Sequence, residues 1–154
     1  MQIVQFYRGD PNAPKPTRGA HLGANAVITC RNRVLLERRW DCGAWGLPGG
    51  GVKAHETEEE AMVRELYEEL GLRVRPQSLK RLKVYGEPGR IAAYRDGSVW
   101  RMVVVAFGLE LETEPALTIS RESRQLAFFT REEARALDIV ITHRDIVEDW
   151  FLNR

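Results

Sequence analysis

The sequence predicts an α/β sandwich built on a mixed β-sheet. Strand-forming stretches lie on both sides of one long amphipathic helix, and two shorter helical patterns follow near the C-terminus. Helices and strands in this mixture bury their apolar faces most readily as packed layers. The 154 residues fit one domain of ordinary size. We therefore expect residues 1–154 to form a single domain, with 1–18 as an N-terminal arm and 19–154 as the folded core that ends in a C-terminal helix.

The N-terminal third combines an irregular arm with a predicted hairpin. Three prolines between positions 11 and 16 make the arm irregular, with a short strand at Ile3–Tyr7. Gly23–Cys30 has the composition of a buried strand, and Arg33–Arg38 returns as a second strand after a two-residue turn. Trp45–Gly51 is predicted to be a loop, because four of its seven residues are glycine.

A helix is predicted from Thr57 to Leu70. Thr57 and Glu60 form the sequence signature of a capping box, and Gly71 is the residue type preferred just past a helix C-terminus. Apolar residues recur on one face every three to four positions, as an amphipathic helix requires. They are Met62, Val63, Leu66 and Leu70.

The remaining elements follow from local composition and turn signals. In chain order we expect strand character at Leu72–Val74 and Leu79–Tyr85, a hairpin of Ile91–Tyr94 and Val99–Leu111, a strand at Gln125–Phe129, a helix at Arg131–Leu137, and a last helix capped by Thr142 with Ile146, Val147, Trp150 and Phe151 facing inward.

Composition excludes several classes of protein. Hydrophobic residues at 44% and charged residues at 29% are globular values, which excludes global disorder. No apolar run reaches the roughly 20 residues of a membrane span, and the N-terminus lacks a signal-peptide core, so we expect a cytoplasmic protein. Two cysteines are too few for a disulfide framework. The net charge of +1 argues against a general nucleic-acid coat protein.

Three glutamates on the central helix are the strongest functional signal. Glu65, Glu68 and Glu69 stand at i, i+3 and i+4, which puts their carboxylates on one helix face. Close like charges repel, and a divalent cation is the usual compensation. Carboxylate oxygens suit Mg²⁺, Mn²⁺ or Ca²⁺. A solvated helix face is the ordinary alternative for an acidic cluster considered alone.

The spacing around these glutamates decides between the two interpretations. The fixed positions, in a span of 23 residues, are Gly50, Glu56, Arg64, Glu65, Leu66, Glu68, Glu69, Gly71 and Leu72. This pattern, with the preceding Trp45–Gly50, resembles the signature of the Nudix hydrolase family, including MutT-like proteins and ADP-ribose pyrophosphatases. The resemblance implies the family's α/β/α sandwich, and the predicted elements from about 19 to 137 agree with it.

The resemblance also implies a reaction. Nudix hydrolases use water and usually Mg²⁺ or Mn²⁺ to cleave a nucleoside diphosphate linked to another group, as in ADP-ribose, nucleotide sugars, dinucleoside polyphosphates and NTPs. By resemblance, the metal ligands are Glu65, Glu68 and Glu69, completed by the backbone carbonyl of Gly49 or Gly50. Arg64 would hold the carboxylates. Glu56 would orient the proton acceptor or bind metal through water.

Candidates outside the motif rest on weaker patterns. The family often adds a carboxylate from a later loop; Glu122 is our candidate, with Glu112 and Glu114 as competitors. Aromatic side chains can stack on a base and arginines can bind phosphate, although most such side chains serve packing or face solvent. For substrate binding we select Arg38, Arg39, Trp45 and Arg101; Trp40, Arg90, Tyr94 and Trp100 share the same residue types.

Two other functions stay open at this point. The substrate could be 5′-triphosphorylated or capped RNA, which would make the protein an RNA 5′-pyrophosphohydrolase. Some Nudix domains instead sense a nucleotide without turnover, but here every motif residue is intact. We expect a small nucleotide as substrate and neither a membrane nor a stable nucleic-acid partner. The family is often dimeric, so a homodimer remains open.

Overall fold

The computed structural model describes residues 2–154. Within them lie nine strands and three α-helices, with a 3₁₀ turn at Pro76–Ser78 and a π-helical turn at Glu148–Leu152. The strands are β1 (Val4–Arg8), β2 (Ala20–Cys30), β3 (Arg33–Arg39), β4 (Trp45–Gly46), β5 (Gly49–Gly51), β6 (Lys80–Tyr85), β7 (Arg90–Tyr94), β8 (Val99–Leu111) and β9 (Ser123–Thr130). The helices are α1 (Glu58–Leu70), α2 (Arg131–Arg135) and α3 (Ile141–Val147).

All nine strands join one mixed sheet. Its main path runs β1-β7-β8-β2-β3-β4, while β5 pairs with β2, β6 with β8 and β9 with β3. β2 and β8 are parallel over eleven residue pairs, and the other strand pairs are antiparallel. The predicted mixed sheet is confirmed, and the N-terminal strand pairs with β7 of the same chain.

Side chains of β2 alternate between two helical layers. Ala24, Ala26 and Ile28 face α1 and pack with its apolar stripe. Val27 faces the opposite side, among the buried side chains of the C-terminal helices. A strand that is apolar on both faces is typical of a sheet covered by helices on both sides. The fold is therefore an α/β/α sandwich, as the sequence predicts. No helix of residues 2–154 is long and apolar enough to cross a membrane.

The predicted hairpin of β2 and β3 forms, but its strands soon separate. They pair only at Thr29 with Val34 and at Cys30 with Arg33. The turn residues Arg31 and Asn32 have positive φ angles of 50° and 64°, the geometry of a two-residue hairpin turn. Beyond the paired end, β5 replaces β3 as the neighbour of β2. This separation brings the glycine-rich segment against the middle of the sheet.

Three sequence expectations are corrected. Trp45–Gly51 is not simply a loop, because it contributes β4 and β5. Its high glycine content had favoured the prediction of a loop. Leu72–Val74 forms no strand; its apolar side chains pack against the α1 layer without a strand partner. Thr142 does not cap the last helix, because α3 begins at Ile141, with Val140 as N-cap. Pairing of the preceding residues with Trp45 fixes that earlier start.

Candidate active site

Helix α1 begins and ends as the sequence predicts, and it carries the acidic cluster. Thr57 and Glu60 make both bonds of the capping box, and Gly71 ends the helix at φ 68°. The three glutamates differ in exposure. The side chain of Glu68 is 55% exposed and that of Glu65 15%, whereas Glu69 is only 3% exposed and turns toward the sheet. The three carboxylates therefore extend from the solvent-exposed side of the helix to its buried side.

Arg64 holds three of the carboxylates. Its Nε and Nη2 donate to the two oxygens of Glu56 at 2.6 and 2.7 Å, and its Nη1 donates to Glu65 at 2.8 Å and Glu68 at 3.1 Å. Nη2 also donates to the Gly51 carbonyl at 2.9 Å. The hydrogen bonds from Arg64 lower the pKa of Glu56 to about 2. Arg64 thus ties the helix to the glycine-rich strand and keeps Glu56 ionised.

Glu69 meets a second buried carboxylate, Glu37 of β3. Glu69 Oε2 accepts a bond from the Gly49 N–H at 3.4 Å, while its Oε1 is buried without a partner among residues 2–154. Burial, and then contact with Glu37, raises the pKa of Glu69 strongly. The Ser123 hydroxyl donates to Glu37. Two carboxyls this close cannot both carry a full negative charge without a compensating proton or cation.

The sequence reasoning missed Glu37. On β3 it lies two residues after Leu35 and on the same face, and Leu35 is buried against α1. A charged residue at an inward position of a buried strand was the available signal. Its contact with Glu69 joins positions 32 residues apart, so it depends on the register of α1 over the sheet.

Glycines let strand β5 lie directly under α1. A Cβ on Gly50 would lie 2.5 Å from the Glu65 Cδ. Gly49 has φ +149°, and a Cβ there would lie 2.1 Å from the Ala24 carbonyl oxygen. Burial raises the pKa of Glu65, against the influence of Arg64, and the nearby Glu68 and Glu122 add to the effect. β5 therefore lies too close to the backbone of β2 for any side chain at position 49, and too close to the Glu65 carboxylate for one at position 50.

The donor set fits a divalent cation, although it is not gathered around one point. Among residues 2–154, no three His, Cys, Asp or Glu side chains are close enough together to hold a metal ion as they stand. The unpartnered Glu69 Oε1 and the raised pKa of Glu65 and Glu69 nevertheless indicate that these carboxyls are unfavourable in the ionised form unless a cation lies beside them. Carboxylate and carbonyl oxygens are the ligands that Mg²⁺ and Mn²⁺ prefer.

An open acidic pocket of about 400 Å³ lies between α1 and the 120–122 loop, and we call it the acidic pocket. Its lining residues are Gly50, Gly51, Glu65, Glu68, Glu69, Ser120, Arg121 and Glu122. The structure thus brings Glu122 to the motif glutamates. Its competitor Glu114 lies elsewhere, 3.7 Å from Arg33.

A second, more enclosed space adjoins the acidic pocket, and we call it the cavity. It measures about 270 Å³ and shares Gly50 and Glu122 with the acidic pocket. Its walls include apolar and aromatic side chains from β1 and the residue before it, from β7 and β8, and from the β3–β4 loop. They are Ile3, Phe6, Tyr94, Met102 and Trp40. An acidic rim that opens into an aromatic cavity can receive a ligand with a phosphate group at one end and a ring at the other.

The selected substrate-binding residues divide into two groups. Arg39 lines the cavity, but its guanidinium is committed to both oxygens of Asp41, at 3.0 and 2.7 Å. Arg38, Trp45 and Arg101 line neither space. Arg38 donates to the Gly43 carbonyl at 3.0 Å, Arg101 donates to the Gly86 carbonyl, and Trp45 packs edge-on against Phe129 at 4.9 Å. Each of the three has a partner outside both spaces, and their selection as substrate-binding residues stays a prediction.

Two buried polar residues of the cavity were not foreseen. His143 of α3 accepts a hydrogen bond at Nδ1 from the Leu47 N–H at 3.0 Å. Asn25 of β2 donates from Nδ2 to the Leu47 carbonyl at 3.1 Å. Both side chains line the cavity. No local pattern in the sequence connects residue 143 with residue 47, so this contact had no signal there.

Comparison with known proteins agrees with this geometry. A family model described as NUDIX domain matches residues 19–150. Nucleoside triphosphatase NudI of Enterobacter sp. (strain 638) is 33% identical over 115 residues, which cover 74% of this chain and 79% of that protein. An RNA pyrophosphohydrolase of Psychromonas ingrahamii is 47% identical over 58 residues, which cover 36% of this chain and 31% of that protein.

Solved structures share the fold at lower identity. One is a bifunctional NMN adenylyltransferase/ADP ribose pyrophosphatase from Francisella tularensis, complexed with AMP and a Mn ion. It aligns with a TM-score of 0.68 and 18% identity, covering 91% of this chain and 42% of that chain. At this identity the likeness concerns the fold alone.

Proposed function

This chain belongs to the Nudix hydrolase family, and from that premise we propose that it is a metal-dependent hydrolase of the diphosphate linkage in a nucleoside diphosphate derivative. The candidate substrates are NTPs, ADP-ribose, nucleotide sugars and dinucleoside polyphosphates. The similarity to a nucleoside triphosphatase over most of both chains favours testing NTPs first.

One observation supports the proposal more than any other: the acidic pocket and the cavity adjoin at Gly50 and Glu122. A diphosphate that lies along the acidic pocket would place the attached group in the cavity. Repulsion between phosphate oxygens and the glutamates requires a cation between them. The carboxylates of Glu65, Glu68 and Glu69 and the carbonyl of Gly50 would hold it.

A bound Mg²⁺ or Mn²⁺ would supply charge neutralisation at the diphosphate and a water of lowered pKa. The side chains would supply position. Arg64 holds Glu65 and Glu68 through hydrogen bonds and is itself held by both oxygens of Glu56. Glu56 accordingly serves as the anchor of Arg64, and its low pKa makes it a weak proton acceptor. Glu122, at the junction of the two spaces, is the better candidate to accept the proton.

The test combines a substrate panel with two helix variants. The panel contains NTPs, ADP-ribose, a nucleotide sugar and a dinucleoside polyphosphate, each with Mg²⁺ or Mn²⁺, and products are identified by chromatography. We expect Glu68→Gln to lower kcat at least ~100-fold, because it removes a charged metal ligand. Glu59→Gln is the matched control: it lies on the same helix, is 41% exposed, and is 3.7 Å from Arg81.

The two variants give a clear decision. Glu59→Gln should keep the activity of the unmodified protein, and both variants should unfold at similar temperatures. Full activity in a folded Glu68→Gln protein would contradict the metal-ligand assignment. Capped and triphosphorylated RNA are tested after the small nucleotides, since the RNA pyrophosphohydrolase match covers only about a third of each chain. If neither the panel nor RNA is hydrolysed with either metal, the enzyme proposal fails and nucleotide sensing becomes the better hypothesis.

A further inference from the structure

His143 has one ring nitrogen bound by the protein and one left over. Nδ1 accepts the Leu47 N–H, and the ring lies so close to β4 that a Cβ on Gly46 would be 3.0 Å from Nδ1. The residue is only 6% exposed. Nε2, on the opposite side of the imidazole, has no hydrogen-bond partner among residues 2–154, while the ring lines the cavity.

The bond to Leu47 fixes which tautomer of His143 is present. A nitrogen that accepts an N–H carries no proton, so the neutral ring has its proton on Nε2. Burial, together with the charges of Arg39 and Arg90, lowers the pKa of His143 to about 3 and keeps the ring neutral. The cavity wall therefore presents an uncharged N–H donor for which residues 2–154 supply no partner.

Asn25 supplies the complementary group. Its Nδ2 donates to the carbonyls of Leu47 and Pro48 at 3.1 and 3.4 Å, which orients the amide. Its Oδ1 is then an acceptor without a partner in residues 2–154, on a side chain that is 7% exposed. The same backbone unit, Leu47, thus holds both His143 and Asn25. Neither side chain can turn away without breaking a buried bond to the backbone.

We infer that His143 and Asn25 determine which nucleotides the cavity accepts, by hydrogen-bonding an uncharged planar base through the Nε2–H donor and the Oδ1 acceptor. This inference rests on the proposed function for the assignment of the acidic pocket to the phosphates. The charged pair Arg39–Asp41 is already neutralised within the cavity wall, and Phe6, Tyr94 and Trp40 offer aromatic surface to a ring. A ligand with both an acceptor and a donor on its edge would form hydrogen bonds with the Nε2–H of His143 and the Oδ1 of Asn25.

A binding experiment tests the inference without turnover. The ring nitrogens of His143 in ¹⁵N-labelled protein are observed by long-range ¹H–¹⁵N NMR and assigned by their absence in His143→Asn. AMP, GMP, CMP and UMP, which contain no diphosphate linkage to hydrolyse, are added at millimolar concentration with Mg²⁺, and ribose 5-phosphate with Mg²⁺ is the control that lacks a base. We expect at least one nucleotide to shift the Nε2 signal and ribose 5-phosphate to leave it unchanged.

Other results overturn the inference. If none of the four nucleotides shifts Nε2, or if ribose 5-phosphate shifts it equally, His143 does not recognise a base. The proposed function can fail separately: nucleotide-dependent shifts in a protein that hydrolyses nothing would retain base recognition and reject the hydrolase. The titration itself uses unmodified protein, and only the assignment of the His143 signals uses a variant.

Two variants then separate recognition from support of the backbone. In His143→Asn, Oδ1 can stand in for Nδ1 toward Leu47 while the cavity donor is withdrawn. We expect KM for the best nucleotide substrate to rise about tenfold with kcat within about twofold, as for one lost hydrogen bond in the bound state. His143→Gln, whose amide N–H reaches the Nε2 position, should recover part of the KM. An unchanged KM in His143→Asn contradicts the inference; so does a fall in kcat alone, which would make His143 only a support for β4.

Discussion

At the scale of single residues, each charged side chain of the site takes its role from the partners that it contacts, as Arg64 does from the three carboxylates that accept its hydrogen bonds. The motif glutamates and Arg64 were predictable because they lie on one helix at fixed spacing, where i, i+3 and i+4 positions are neighbours. Glu37 was not, because its role depends on which strand lies beneath α1. The contact of Arg101 with the Gly86 carbonyl, 15 residues away, likewise has no local signal.

The burial of His143 also leads to a prediction about the pH dependence of stability. Its folded pKa of about 3 lies below the ordinary value of 6.5, so the unfolded chain binds a proton first as the pH falls. The contribution to stability is complete above about pH 6.5 and is lost as the pH falls toward 3. Between pH 7 and pH 5 we expect the free energy of unfolding to fall by roughly 2 kcal/mol from this residue alone.

Urea unfolding of the unmodified protein and His143→Asn from pH 7 to pH 5 measures this term. The free-energy difference between the two proteins should shift by that amount over the range, in favour of the variant at low pH. The charges that act on His143, those of Arg39, Arg90, Asp145 and Asp41, are the same in both proteins. Parallel pH curves would show that the ring does not titrate as its burial requires.

At the scale of elements, a helix or strand was predicted correctly where the residues that define it lie within its own segment. Helix α1 was predicted within a residue because its capping box, apolar stripe and terminal glycine all lie inside the segment. β5 was missed because a strand of three glycines offers no side-chain pattern; it is recognised only by its pairing with β2. The start of α3 was misplaced because backbone bonds to Trp45, nearly 100 residues away, set it.

The close packing of β5 leads to a prediction about Gly49. Gly49→Ala should cost at least ~3 kcal/mol of unfolding free energy, because its Cβ would lie 2.1 Å from a backbone oxygen at a positive φ. Gly97→Ala is the matched control: φ is +92°, but nothing lies within 4 Å of the added Cβ. It should cost only about 1–2 kcal/mol for the backbone conformation. Equal losses in urea unfolding would mean that β5 can move away from β2.

At the scale of the whole molecule, charge is divided between two regions. Residues 56–69 contain seven of the 22 acidic residues and a single arginine, so the rest of the chain has 22 basic against 15 acidic residues. The net charge of +1 therefore conceals an acidic helix on a basic body. The total excluded a general nucleic-acid coat protein, whereas the distribution suits a phosphate ligand held through a cation. Sequence alone supplied this division.

The other long-range feature is the connection of α3 to strands β1 and β7, which the sequence did not reveal. Arg90 of β7 is completely buried and donates to both oxygens of Asp145, at 2.7 and 3.0 Å, and to the Thr142 carbonyl. Arg8 of β1 adds a bond of 3.0 Å to Asp145. A charge cluster around the buried Arg90 thus joins β1, β7 and α3, three of the elements that line the cavity.

Removing Arg90 should therefore damage stability and the cavity together. Arg90→Ala leaves Asp145 and the Thr142 carbonyl without their principal donor, and we expect a loss of about 3–5 kcal/mol, as for a broken buried ion pair. Arg135→Ala, which deletes a guanidinium bonded to the Leu152 carbonyl near the C-terminus, should cost only about 1 kcal/mol. Urea unfolding gives both values. Because α3 carries His143, we expect KM for the best nucleotide to rise in Arg90→Ala and to stay unchanged in Arg135→Ala. A stable Arg90→Ala protein with normal KM would show that apolar packing alone holds α3 in place.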